Sequence, residues 1–297
     1  MNDKLFKLLV LGRGFIGNYV EQLCSTHNIS CASTTRDGRA GTIKFDLPGL
    51  EAPLEEYIRA TQALPKAECI LVTFPLKGAA AVDKLLESYS HVYNPESTSA
   101  VHNEKSNSNS SKLNWILLGT TGVFTKVPSN RNTERDPAKS PERQESEDQL
   151  LNVHGGTVLY LSGLWGGARN PEGWMRFFNT EEAVLRRVKD RTLHLIHGED
   201  VARAIVDGVV KKPSFGEKWI ISDPECTDML EIFVKHFNED QLNILRKVIA
   251  MPEARKYVNS DKLEELIVGK EANLQRRLDP DEFWDFYNLK IEHKYRP

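Results

Sequence analysis

The hydrophobic pattern of the chain alternates short apolar runs with longer stretches of helical spacing. Lys4–Leu11 forms an apolar run that ends at Gly12, and 15–24 then places apolar side chains on one side of a helix. A short continuous apolar run is typical of a strand buried on both faces, as in a parallel sheet. The same reasoning predicts strands at 29–34, 42–45, 68–74, 114–118 and 158–161, and helices at 54–63, after 74 and around 145–151.

Strands and helices alternate from the first residues, which predicts an α/β fold with a doubly wound parallel sheet. Right-handed crossover connections place the first strand in the middle of that sheet. After about residue 222 the pattern changes, because 229–237, 242–249 and 262–267 are predicted helices with no strand between them. We therefore expect a domain at 1–221 and a small, mainly helical C-terminal region at 222–297.

A glycine-rich turn joins the first predicted strand to the first predicted helix. Gly12, Gly14 and Gly17 form the pattern G-x-G-x-x-G, with Phe15 and Ile16 between the last two glycines. In a dinucleotide-binding turn the first glycine permits the tight turn, the second lets backbone approach the pyrophosphate, and the third lets the helix pack on the strand. The position of this turn predicts a Rossmann-like dinucleotide site; the alternative is a tight turn with a structural role only.

The end of the second predicted strand favours NADP(H) over NAD(H). NAD sites usually carry an acidic residue about 20 positions after the glycine turn, to hold the ribose 2′-hydroxyl. Here Thr35 and Arg36 occupy that region, and a guanidinium can bind a 2′-phosphate through two charge-assisted contacts. NAD(H) stays possible if the strand ends later, because Asp37 then meets the ribose. A further alternative is that Arg36 is only a solvated loop charge.

Composition and charge narrow the possible partners. Lys and Arg total 39 against 42 Asp and Glu, a net charge of −3, so we expect no nucleic-acid partner and no membrane partner. The four cysteines are scattered, and His194 and His197 point to opposite faces of a predicted strand, so we expect no metal site. No apolar run approaches the roughly 20 residues that span a bilayer, which makes the cytoplasm the expected compartment.

One segment of the chain cannot contribute to a hydrophobic core. Residues 102–112 are nearly all polar, which predicts a flexible surface insertion. The pattern gives no indication of the oligomeric state.

Five motifs, in this order and spacing, resemble the extended or atypical short-chain dehydrogenase/reductases, the NAD(P)-dependent epimerase/dehydratase-like proteins, and in particular their YeeZ-like branch. The resemblance covers roughly residues 4–225. Its pieces are Gly12–Gly17, Phe45-Asp46-Leu47, Leu118–Phe124, Ser162–Pro171 and Ile196–Ile205.

The resemblance implies roles for residues beyond the glycine turn. Asp46 accepts a hydrogen bond from the adenine amino group, and the loop Thr73-Phe74-Pro75 passes beside the cofactor ribose. Thr120 falls at the position of the family's catalytic serine or threonine. Arg169 is available for a substrate anion. His197 and Asp200 belong to a motif whose expected role is structural, at the entry to a helix.

One departure from the family concerns the proton donor. Redox members carry Tyr-x-x-x-Lys, with the tyrosine as general acid/base, but none of the eight tyrosines here has a lysine four residues later. Counting back from Glu147 puts Lys139 at the tyrosine position and Arg143 at the lysine position. Two hypotheses follow: an NADP(H)-dependent oxidoreductase or epimerase-like enzyme on an unidentified small carbonyl or sugar-type substrate, or a catalytically inactive dinucleotide-binding regulatory protein.

Overall fold

The computed structural model describes residues 4–93 and 113–297, and the predicted insertion at 102–112 lies outside these residues. Its strands are β1 (Phe6–Leu11), β2 (Cys31–Thr35), β3 (Ile43–Lys44), β4 (Ala67–Val72), β5 (Asn114–Thr120), β6 (Thr157–Leu161), β7 (Gly163–Trp165), β8 (Thr192–Leu193), β9 (Leu195–His197), β10 (Lys218–Ile221) and β11 (Thr227–Asp228). Its α-helices are α1 (Phe15–Thr26), α2 (Leu54–Thr61), α3 (Ala79–Tyr93), α4 (Pro141–Asp148), α5 (Glu181–Lys189), α6 (Gly198–Arg203), α7 (Met229–His236), α8 (Glu239–Ala250) and α9 (Asp281–Tyr287).

The main sheet has seven strands in the order β10-β6-β5-β4-β1-β2-β3. The pairs from β3 through β6 are all parallel. The first strand lies between β2 and β4, as right-handed crossovers predict, and the order 3-2-1-4-5-6 is that of a Rossmann-like sheet. The predicted α/β, doubly wound fold is therefore confirmed.

The core of the sheet follows from the apolar runs in the sequence. Leu8–Leu11 of β1 and Ile70 and Leu71 of β4 are fully buried, because helices cover both faces of a doubly wound sheet. Helix α1 turns Ile16, Val20 and Cys24 toward the core, at a spacing of four residues that keeps them on one helical face.

The described chain divides into two compact units. The first unit contains the described residues up to 124 together with 134–161 and 201–219, and the second contains 125–133, 162–200 and 220–297. The sequence-based boundary at 221/222 lies close to the last of these transitions. The second unit also takes two earlier segments, 125–133 and 162–200, which the sequence analysis assigned to the first domain.

The second unit has its own hydrophobic core, formed by one cluster of buried side chains. Helix α8 begins with a capping box, in which the Asn238 side chain accepts from the Gln241 backbone and the Gln241 side chain accepts from the Asn238 backbone. The amide of Gln241 also donates to the carbonyl of Met175 at 2.6 Å. The buried core residues are Met175, Phe178, Val184, Val188, Met229, Leu230, Ile232, Phe233, Phe237, Leu245, Val248, Ile249 and Ala254.

Two sequence predictions for the second half of the chain were wrong or incomplete. The helix predicted at 262–267 is only a 3-10 turn, Leu263–Glu265, which ends at Leu266 with an extended ψ of 129°. Leu263 and Leu266 pack against the core, but the Asn259 side chain binds the backbone of Glu265 and Ile267 and so competes with a helix there. Helix α9 and strand β10 were not predicted. Within 4–93 and 113–297, no helix is long and apolar enough to cross a membrane.

Candidate dinucleotide site at the carboxyl edge of the sheet

The glycine turn has the geometry that its three glycines predict. Gly12 has a φ of +96°, and a Cβ at this residue would lie 2.6 Å from Oγ1 of Thr73. The Gly14 N–H donates to the Gly12 carbonyl at 2.8 Å, which closes the turn. A Cβ on Gly17 would lie 2.8 Å from that same carbonyl oxygen and 3.2 Å from Val10, so glycine at 17 is what lets α1 pack against β1.

The space beside Gly14 is open. Apart from its neighbours in the chain, no described atom lies within 4 Å of a Cβ placed at Gly14, although the residue lies at the start of α1. The first turn of α1 has no side-chain cap and no acidic residue. A helix N-terminus of this kind offers backbone N–H groups and a positive dipole end to an anion. The turn therefore fits a pyrophosphate, with room for it at Gly14.

The loop after β4 supports the turn from the neighbouring strand. The Thr73 hydroxyl donates to the Gly12 carbonyl at 2.6 Å and to the Leu11 carbonyl at 3.1 Å. The Phe74 ring lies against the same glycine, since a Cβ on Gly12 would be 3.1 Å from Cδ1 of Phe74. Pro75 is exposed at the next position. Thr73 and Phe74 thus fix the shape of the turn.

Strands β2 and β3 end beside each other, and two predicted adenosine-binding residues meet there. Nε of Arg36 lies 3.6 Å from Oδ1 of Asp46, and both side chains are largely exposed. The Thr35 hydroxyl has partners within the loop: it shares a hydrogen bond of 2.7 Å with Thr42 and accepts the Arg39 N–H at 3.1 Å. Thr35 therefore holds the loop that carries Arg36.

Arg13 is a residue of this region that the sequence analysis missed. Its guanidinium pairs with Glu21 at 2.5 Å and donates to the Ala40 carbonyl at 3.2 Å. Ala40 lies in the loop between β2 and β3, so the Arg13 side chain reaches from the glycine turn to the loop that also carries Arg36. The only sequence signal was a basic residue between two glycines.

Thr120 is the last residue of β5, on the same edge of the sheet. Its hydroxyl accepts the Gly122 N–H at 3.2 Å and, among the described residues, donates to no acceptor. The neighbouring Thr121 differs, because its hydroxyl donates to the Leu161 carbonyl at 3.3 Å. The carboxyl ends of adjacent parallel strands share one edge, so Asp46, Arg36, the glycine turn, Thr73 and Thr120 form one row along it.

Helix α4 carries the positions where the resembling enzymes have their tyrosine and lysine. Lys139 is exposed and lies before the helix, whose first residue is Pro141. Arg143 is half-buried on the helix and donates to the Leu118 carbonyl at 2.6 Å, one turn from buried Glu147. Lys139 is thus a solvated cation, whereas Arg143 contacts the strand that ends in Thr120.

A buried ionic cluster lies below this edge. Glu147 is fully buried between two guanidiniums, Arg135 at 3.0 Å and Arg143 at 3.3 Å, and Arg135 also donates to the Tyr160 hydroxyl at 2.9 Å. Burial raises the pKa of Glu147, and the two guanidiniums oppose that rise. Burial also raises the pKa of Tyr160, and adjacent Glu147 adds to that rise. Tyr160 therefore stays protonated at neutral pH.

Arg169, predicted to contact a substrate anion, belongs to the second unit. It is exposed on a short turn in which the backbones of Gly166 and Arg169 exchange two hydrogen bonds, of 2.8 and 2.9 Å. The turn depends on glycine, because Gly166 and Gly167 both have positive φ, +114° and +53°.

Comparison with known proteins gives matches in structure only. No protein-family model matches the chain, and no curated protein matches it. A UDP-N-acetylglucosamine 4-epimerase from Bacillus cereus is similar over 97% of this chain and 94% of its own, with a TM-score of 0.57 and 12% identity. A human epimerase family protein with NADPH gives a TM-score of 0.54 at 14% identity, over 96% of this chain and 94% of its own.

A third similar structure matches a smaller share of the chain. It is a short-chain dehydrogenase/reductase superfamily protein from Agrobacterium tumefaciens with bound NAD, with a TM-score of 0.52, 12% identity, and coverage of 78% of this chain and 81% of its own. The chain thus has the Rossmann-like fold of the NAD(P)-dependent epimerase/dehydratases and of the short-chain dehydrogenase/reductases.

Proposed function

We propose that the chain binds a nicotinamide dinucleotide, NADP(H), along the carboxyl edge of its first unit, and that it is an oxidoreductase or epimerase-like enzyme on a small carbonyl or sugar-type substrate. The observation that carries the proposal is the glycine turn: a tight turn at Gly12, an uncapped helix start, and open space at Gly14. Two similarly folded proteins support it, since one has NAD bound and the other NADPH.

Different residues of the first unit bind different parts of the dinucleotide. The N-terminus of α1 binds the pyrophosphate, and Thr73 keeps the Gly12 carbonyl in place beneath it. Arg36 binds the 2′-phosphate and Asp46 the adenine amino group, at the ends of β2 and β3. When bound, the dinucleotide supplies or accepts hydride. Thr120 then donates a hydrogen bond to the substrate carbonyl oxygen, and water or a substrate group supplies the proton.

A second candidate function is dinucleotide binding without turnover, as a regulatory protein. The position of Lys139 favours it, since this cation is exposed outside α4 where related enzymes place a tyrosine acid. Both candidate functions use the same cofactor site and differ only in whether a reaction follows cofactor binding.

The first test of the proposed function is the variant Gly14→Ala, which adds a methyl group at the glycine turn. In Gly14→Ala the added Cβ contacts no described atom, so we expect the free energy of unfolding to change by less than about 1 kcal/mol. The methyl occupies the space into which the pyrophosphate must come, so the Kd for NADPH, measured by calorimetric titration, rises at least about tenfold.

A matched glycine separates this effect from a general response to alanine. Gly173 also has open space at its Cβ position, and it belongs to the second unit, whereas the proposed site lies in the first. Gly173→Ala is expected to leave both stability and NADPH binding unchanged. If Gly14→Ala binds NADPH as tightly as the parent protein, the turn does not hold a pyrophosphate and the proposed function fails.

Arg36 decides which dinucleotide is preferred. A charge-assisted contact contributes about 1.5–3 kcal/mol, so we expect the parent to bind NADPH at least about tenfold more tightly than NADH. Arg36→Ala removes most of that preference and leaves NADH affinity almost unchanged. Arg59→Ala is the control, because it removes an exposed cation on α2. Equal affinities in the parent, or a preference for NADH, would mean that Asp37 meets the ribose.

A further inference from the structure

Three side chains with metal-binding atoms converge in the second unit, outside the dinucleotide site. His197 ends β9, Glu199 follows it by two residues, and His293 comes from the C-terminal segment. One potential ligand atom from each lies within 4.8 Å of the others. The Nε2 atom of His293 is 3.3 Å from Oε2 of Glu199, and the two imidazole rings stack with centroids 4.3 Å apart.

We propose that His197, Glu199 and His293 bind a divalent transition-metal ion, of the zinc type. In a tetrahedral zinc site with bonds of about 2.0–2.1 Å, neighbouring ligand atoms are about 3.3 Å apart. The His293–Glu199 distance already has this value. Glu199 is half-exposed, so its carboxylate can rotate toward His197. The stacked imidazoles must also turn so that their lone pairs converge, and the long 3.3 Å hydrogen bond from the Glu199 N–H to Nδ1 of His197 is released if that nitrogen binds the metal. Two imidazoles with one carboxylate leave a fourth position open, as in sites that keep a bound water.

A buried carboxylate lies beside the other ring nitrogen of His293, Nδ1. Asp200 is fully buried, and its Oδ2 lies 3.3 Å from Nδ1 of His293. This contact does not have hydrogen-bond geometry in the structure. A rotation of the ring would complete it, place the proton on Nδ1 and leave the Nε2 lone pair for a metal on the Glu199 side. Asp200 also accepts the backbone N–H groups of Glu292 and His293 at 3.0 and 2.9 Å, so the C-terminal segment is held where His293 is needed.

An aromatic side chain packs against His197, one of the three proposed ligands. The Trp165 ring packs edge-on against it at 4.6 Å and forms an apolar wall on that side. Imidazole nitrogens favour zinc, copper, iron and nickel, whereas magnesium and calcium prefer oxygen ligands.

No metal site was predicted from the sequence, because the four cysteines are scattered and His194 and His197 point to opposite faces of a predicted strand. His194 is indeed outside the cluster: its Nε2 accepts the backbone N–H groups of Arg277 and Leu278, each at 3.1 Å, and burial lowers its pKa to about 4. The partner that completes the cluster, His293, is far along the chain from His197, so ligand spacing in the sequence could not reveal it.

The test uses the full chain, first treated with a chelator and then titrated with ZnCl2 by calorimetry. We expect one zinc ion per chain, with His293→Gln and Glu199→Gln each weakening the zinc affinity by at least about tenfold. Both side chains are partly exposed, so these variants keep the fold, which thermal unfolding in chelator checks. His91→Gln removes an exposed histidine of α3 and is expected to bind zinc like the parent.

A second readout identifies the kind of site. Co²⁺ bound to the parent gives the visible absorption of a low-symmetry nitrogen and oxygen site, which His293→Gln and Glu199→Gln lose; excess Mg²⁺ leaves it unchanged. Absence of zinc binding in the parent overturns the proposal, as does zinc affinity unchanged in both variants. Equal competition by Mg²⁺ also overturns it. Dinucleotide binding is not measured here, so failure of this proposal leaves the proposed function standing.

Discussion

Replacing Asp228 with alanine is expected to lower the free energy of unfolding by about 3–5 kcal/mol, because it leaves a buried guanidinium without its carboxylate. Asp228 is fully buried and Arg191 nearly so. Oδ1 of Asp228 accepts from Nε of Arg191 at 3.1 Å and Oδ2 accepts from Nη2 at 2.5 Å, a two-pronged contact. Removing one member of such a pair costs far more than the pair contributes in net stability.

Asp228 also organises backbone in the second unit. Its Oδ1 caps α7 by accepting the Leu230 N–H at 2.9 Å, and Oδ2 accepts the Gly269 N–H at 2.9 Å. Arg191 extends the same cluster by donating to the carbonyls of Tyr257 and Ile267 at 3.1 and 3.0 Å. The alanine variant therefore loses a helix cap and the loop contact at Gly269 in addition to the ion pair, and it leaves Arg191, with its two carbonyl contacts, without a carboxylate.

The measurement is urea or thermal unfolding of the purified variant against the parent. The matched control is Glu239→Ala, which breaks the 2.9 Å pair with Arg246 at the exposed surface of the same unit. That pair is screened by water, and we expect its loss to cost at most about 1 kcal/mol. Asp228→Asn keeps the cap but removes the charge, so its stability should fall between those of the parent and the alanine variant. A cost below 1 kcal/mol for Asp228→Ala would mean that water reaches Arg191.

The sequence predicted the first unit better than the second for a physical reason. Strands β1, β4 and β5 are continuous apolar runs, and a strand buried on both faces must be one. The glycine turn was equally readable, because the positive φ of Gly12 and the close packing at Gly17 each require glycine. These signals are local, so they need no knowledge of distant contacts.

The features that were missed depend on contacts between distant residues. Strand β10 is a run of four residues, too short to be told from a loop until it pairs with β6 at the edge of the sheet. The 262–267 segment has apolar spacing, but the Asn259 side chain binds its backbone and holds it to a single turn. The Arg36–Asp46 contact and the His197–His293 stack join separate parts of the chain, and no periodicity encodes them.

Thr120→Val is expected to reduce turnover about a hundredfold or more while NADPH binding survives, provided that the protein is an enzyme. A hydrogen-bond donor on a developing oxyanion is typically worth about 2.7–4 kcal/mol in the transition state. Thr120 lies at the carboxyl end of β5, on the edge that carries the glycine turn, and its hydroxyl proton has no acceptor among the described residues. Among the site residues along this edge, Thr120 therefore has the hydroxyl that can donate a hydrogen bond to a substrate.

Two variants separate this chemical role from the structural role of the same side chain. The Thr120 hydroxyl also accepts the Gly122 N–H, so valine loses a turn cap, whereas Thr120→Ser keeps both functions and should retain most of the turnover. Thr121→Val removes a neighbouring hydroxyl that already donates to the Leu161 carbonyl, and we expect turnover to persist. Hydride transfer is followed by nicotinamide absorbance with a panel of small carbonyl and sugar-nucleotide substrates. If Thr121→Val and Thr120→Val reduce turnover equally, Thr120 is not the oxyanion donor; if the parent transfers no hydride to any of the panel, the regulatory function is favoured.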